Sequence, residues 1–133
     1  VKAARGIYDG YIDKALKSPM PFKSVGEQYI RFAVEEPKLF QLLFMHAESS
    51  FTPDGILPSI DDNYTAILKT VRDTYGLNEK KAFGLYNDMW IFSHGIASLS
   101  ATGMINYSYD EVSALLTDVC TALIIKYKRE END

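Results

Sequence analysis

A chain of 133 residues with 47% hydrophobic and 24% charged content is long enough for one domain around a single core, which excludes a disordered tail or a small scaffold that needs staples. The net charge of −4 argues against a surface that grips a phosphate backbone, since that requires clustered Lys and Arg. The single cysteine, Cys120, excludes an intrachain disulfide and fits a reducing, cytoplasmic setting, and no apolar run approaches the ~18 residues of a membrane span.

Residues 1–17 place Ala4, Ile7, Tyr8, Tyr11, Ile12, Ala15 and Leu16 at helical spacing, with Lys14 and Lys17 in the last turn, where the helix dipole favours cations. The helical pattern is already running at Val1, which is not Met, so a piece of a longer protein is expected. Pro19 and Pro21 stop this helix. Ser24 and Glu27 have capping-box spacing and predict a second helix with Val25, Tyr29, Phe32 and Ala33 inward. Glu36 before Pro37 ends it and starts a third, PKLFQLLFMHA, apolar nearly all round and expected to be buried or to line a cavity.

Residues 48–57 read as a turn-rich loop around Pro53, Asp54 and Gly55. A fourth helix then shows Ile60, Tyr64, Ile67, Leu68, Val71 and Tyr75 in one stripe and a C-terminal cap at Gly76. Asn78 is the expected N-cap of a fifth helix that Gly103 closes. Its apolar residues fill an arc of about 200°, twice a core-facing stripe, so it should have neighbours on two sides. Gly84 and Gly95 inside it each cost ~1 kcal/mol against Ala and predict close packing. Ser108 and Glu111 form a second capping-box pair for the last helix, whose apolar arc is equally wide. Two wide terminal helices predict a homodimer through a four-helix bundle, with Phe92, Leu99, Leu116, Leu123 and Tyr127 at the contact.

Material for catalysis is thin. His46, Glu48, Asp88 and His94 match no zinc spacing, the nucleotide-binding and hydrolase signatures are absent, and neither a metal nor another cofactor is expected. Cys120 has no His or cation beside it in sequence and reads as an inert buried thiol. His94, one turn after Trp90, is either a core histidine with a satisfied ring or a polar anchor in a ligand pocket. Tyr8, Tyr11, Tyr29, Tyr64 and Tyr86 lie on apolar stripes, which either solid packing or a moist cavity explains.

Two segments carry a family resemblance. YIRFAVEEPKLFQLLF (29–44) and MWIFSHGIASLSATGMI (89–105) are similar to the signatures of the C-terminal domain of tetracycline-repressor (TetR) family regulators, in the variant named for a Trp-His-Gly motif. The resemblance spans about residues 22–105, and the helix order agrees along the chain. It implies an all-α, six-helix domain over residues 1–133 that binds an effector and dimerises, from a bacterial transcription regulator that acts as a repressor. DNA would be bound only through an N-terminal helix-turn-helix domain, no part of which precedes Val1 here. The effector would be small and apolar or aromatic. Its pocket is expected between the first helix and the helices beginning at Ser24, Pro37, Ile60 and Lys80, walled by Tyr8, Tyr11, Tyr29, Phe32, Phe40, Phe44, Tyr64, Tyr86 and Trp90, with His94 as anchor. The alternative from another class is a free-standing helical carrier of small molecules or a protein-interaction module.

Overall fold

The computed structural model describes residues 2–45 and 63–132, and these form six helices: α1 (Lys2–Leu16), α2 (Pro21–Glu35), α3 (Pro37–Phe44), α4 (Tyr64–Tyr75), α5 (Glu79–Ala101) and α6 (Tyr109–Asn132). The loop expected at 48–57, Ile60, and the candidate pair His46 and Glu48 lie outside the described residues. The all-α class is as the sequence implies.

α2 begins three residues before the predicted Ser24 cap. Pro21 sits at its first position with φ already fixed for a helix and no N–H to satisfy, and Phe22 is thereby buried. The Ser24 hydroxyl instead accepts a hydrogen bond from the Ser18 hydroxyl at 2.6 Å. Elsewhere the local signals act as read. The Asn78 side chain accepts from the Lys81 N–H at 2.8 Å, and Ser108 and Glu111 cap each other reciprocally at 3.1 and 2.9 Å. Gly76 and Gly103 take left-handed φ values of 63° and 78°. At the second, the N–H groups of Gly103 and Met104 bond back to the carbonyls of Ser100 and Leu99, the paired pattern of a Schellman ending.

α2 is the hub. α1 lies along one side of it and α5 along another, while α3, α4 and α6 each touch it. The wide apolar arc of α5 is divided among α2, α3, α4 and α6, so much of the surface that predicted a partner is consumed inside the protomer. α3 is less enclosed than its composition suggests: Phe40 and Phe44 point into the core, but Leu42 is exposed.

α5 and α6 run antiparallel and are pinned where the start of one meets the end of the other. Lys81 Nζ reaches Glu130 Oε2 at 2.7 Å, and the Tyr127 hydroxyl donates to Asp88 Oδ2 at 2.5 Å. Gly84 is what lets the Tyr127 ring lie there, since a Cβ at this position would stand 2.8 Å from Tyr127 Oη and 3.0 Å from Cζ. Gly84→Ala therefore gains ~1 kcal/mol of helix propensity but displaces a hydrogen bond to a charged acceptor worth ~1.5–3 kcal/mol, for a net loss of ~1 kcal/mol. Gly10→Ala, in α1 with nothing within 4 Å of the new methyl, should gain ~0.5–1 kcal/mol. Urea unfolding of the two variants should therefore shift the midpoint in opposite directions.

Two residues expected at a dimer contact are enclosed within the protomer. Leu116 and Tyr127 are 2% and 8% exposed, the former against Gly26 of α2 and the latter against Gly84, so the protomer's own core takes both side chains. Phe92 and Leu123 are partly buried against that core. The large hydrophobic side chains that do face outward on these helices are Ile91 (56% exposed), Leu99 (39%), Tyr109 (52%) and Ile125 (54%). Gly95 shares the open side of α5, with nothing within 4 Å of a Cβ placed there.

Candidate functional site

α2 and α5 each bring four residues at i, i+3, i+4 and i+7 to one side: Phe22, Val25, Gly26 and Tyr29 from the first, Tyr86, Met89, Trp90 and Ser93 from the second. Between these stripes lies a pocket that Tyr8 of α1, Lys23 of α2, and Leu116 and Cys120 of α6 complete. Its void is about 40 Å³. That void holds about three waters, so a larger ligand needs the wall side chains to move apart. Gly26 and Ser93 make the space, because neither carries a side chain large enough to cross it. The Cβ that Gly26 lacks would meet Leu116 Cδ1 at 3.4 Å and Ser93 Oγ at 3.5 Å, ordinary contact distances.

Of the ten side chains expected at the site, Tyr8, Tyr29, Tyr86 and Trp90 line this pocket. Phe32, Phe40 and Phe44 do not. With Tyr8 and Tyr29 they form a solid aromatic cluster, Tyr8 and Phe44 having ring centroids 4.8 Å apart and Phe40 and Phe44 5.4 Å apart. α3 fills the space beside α1 and α2 with these rings, which prefer one another's edges to an open void. Tyr11 covers the cluster from outside, its ring 5.3 Å from Phe32 and its hydroxyl donating to Glu35 Oε1 at 2.5 Å. That acceptor and burial hold the Tyr11 phenol up at about 12. Tyr64 stacks behind the wall on Tyr86, at 5.7 Å and 23°. α3 and α4 thus support the site without lining it, and α6, which was not expected there, supplies two wall residues.

His94 stands one layer back. Its ring stacks on Trp90 at 4.8 Å and 14°, and Nδ1 is joined to the Tyr29 hydroxyl by a 2.8 Å hydrogen bond. Both partners are wall residues, so His94 orients the wall rather than forming it. Burial lowers the His94 pKa and keeps the ring neutral near pH 7. Because the folded pKa lies below the ordinary 6.5, the unfolded chain takes up the proton first. The associated stability is fully present above about pH 6.5 and is lost as pH falls from there toward the folded value. Unfolding curves across that window should flatten in His94→Gln.

Trp90 Nε1 is buried with no acceptor among the described residues. Burial also pushes the Cys120 thiol up, so it is protonated at neutral pH and serves as an apolar wall. Asp88 is engaged by Tyr127, and among the described residues no group of three or more His, Cys, Asp or Glu side chains could hold a metal ion. Phe22, Lys23, Val25, Gly26, Met89, Ser93, Leu116 and Cys120 were missed as site residues; the i, i+3, i+4, i+7 match between α2 and α5 was the sequence signal for Phe22, Val25, Gly26, Met89 and Ser93, and Lys23, Leu116 and Cys120 lie outside it.

A family model described as tetracyclin repressor-like, C-terminal domain, matches residues 22–123, a span that holds every wall residue but Tyr8. No curated protein and no solved structure gives a significant match to this chain.

Proposed function

The chain belongs to the tetracyclin repressor-like C-terminal domain family, and from that premise we propose that it is the effector-sensing and dimerisation part of a bacterial transcription repressor. Domains of this family sense ligands and pair subunits in transcription regulators, a regulatory rather than catalytic role. The observation that carries the proposal is the cavity walled by α1, α2, α5 and α6, with five aromatic rings and few polar groups, as expected for a small apolar or aromatic effector.

In this reading a ligand entering the cavity changes how α1 packs, because Tyr8 belongs both to the wall and to the aromatic cluster that seats α1 on α2. The N-terminal end of α1 would lead to a helix-turn-helix reader that contacts DNA. The physical requirement is that the ligand bind one packing of α1 more tightly than the other. The protomers would pair two-fold through the outward sides of α5 and α6, where Ile91, Gly95, Leu99 and Ile125 are exposed. The regulator would act in the cytoplasm; no helix among the described residues is long and apolar enough to cross a membrane.

Gly26→Leu gives a direct test. It removes a helix-interior glycine, which favours α2, and carries three carbons beyond a Cβ that already touches Leu116 and Ser93, so it fills the void at an overpacking cost of ~1–3 kcal/mol. Small apolar and aromatic compounds that raise the melting temperature of the unmutated protein should lose that effect in Gly26→Leu, while the variant stays folded. Compounds that stabilise both proteins equally would place the site elsewhere.

A further inference from the structure

We propose that the effector carries an acidic head group, a carboxylate on an aromatic or aliphatic body, that pairs with Lys23. The proposal rests on the cavity being the effector site. Lys23 is the one charged residue on the wall, and no Asp or Glu lines it. Among the described residues it makes no ion pair. Glu27, one turn along α2, lies beside Tyr109, whose phenol its carboxylate holds above the ordinary value.

The position of Lys23 is unfavourable without an anion. It is the third residue of α2, in a first turn that has no acidic residue and no side-chain cap, so its charge stands at the positive end of the helix dipole. A cationic ligand would meet Lys23 as a like charge. A hydrocarbon would leave the ammonium without a counter-ion. An apolar body ending in an anionic group complements the rings and the ammonium together, and charge-assisted bonds of this kind are the stronger ones.

The test uses matched probes, phenylbutyrate with phenylbutanol and octanoate with octanol, titrated against Trp90 fluorescence. In the unmutated protein each acid should bind about tenfold or more tighter than its alcohol, and added salt should narrow the gap. Lys23→Gln should bring the acids down to the alcohols without changing the alcohols, and Lys23→Arg should retain the preference. Equal affinity of acid and alcohol, or a preference that survives Lys23→Gln, would overturn the proposal while leaving the cavity as effector site. Acid binding that persists in Gly26→Leu would place the acid outside the cavity and overturn it as well. If neither acids nor alcohols bind the unmutated protein, the effector-site reading beneath the proposal fails with it.

Discussion

Phe40→Ala should lower the free energy of unfolding by about 3–5 kcal/mol, the range for truncating a buried aromatic ring in a packed core. Phe40 is fully buried and meets the rings of Tyr29, Phe32, Phe44 and His94. Its removal leaves a void among side chains that are fixed by α1, α2, α3 and α5 at once and have little room to collapse. Trp90→Ala should cost less although the ring is larger, because Trp90 is half-buried and already borders open space. Urea unfolding followed by far-UV circular dichroism compares the two without relying on the indole. A loss below ~1 kcal/mol for Phe40→Ala would mean that the rings of α3 border a void after all.

The second large effect concerns association. Asp at Ile91 and Leu99 together should convert a dimer to a monomer, since each charge would be buried against the symmetry mate at a cost of several kcal/mol. Every 1.4 kcal/mol is tenfold in the dissociation constant, so a weakening of about a thousandfold or more is expected. Both residues face outward in the protomer, so its stability should move by no more than ~0.5 kcal/mol per site. Sedimentation equilibrium decides the matter. An unmutated chain that sediments as a monomer, or a doubly substituted chain that remains a dimer, would remove α5 and α6 from the interface.

The elements were largely legible because their signals are local. Asn78, the Ser108 and Glu111 pair, Gly76 and Gly103 act on backbone groups within a few residues of themselves, so spacing alone identifies them. Ser24 misled because proline at position 21 starts α2 without needing a hydroxyl cap. The site was half legible. Its aromatic residues lie on the stripes the sequence displays, but whether rings enclose a void or fill it depends on which helix lies opposite. Phe40 and Phe44 meet Tyr8 and Tyr29 across α3 and pack solid, whereas Tyr86 and Trp90 face Gly26 and leave space. Small residues make the cavity, and they carry no hydrophobic signal of their own. The enclosure of Leu116 and Tyr127 was illegible for a related reason: a wide apolar arc does not say whether its excess meets a partner or another helix of the same chain, and here α2 and α5 cover both side chains.

The most direct measurement is the indole N–H resonance of Trp90 in a nitrogen–proton correlation spectrum. Trp90 is the only tryptophan, so one cross-peak reports the cavity wall. Titration with phenylbutyrate should move that peak to a saturable bound position in the unmutated protein, and the same addition should leave it in place in Gly26→Leu. An indole peak that stays still while thermal stabilisation or calorimetry records binding would contradict an effector site between α2 and α5.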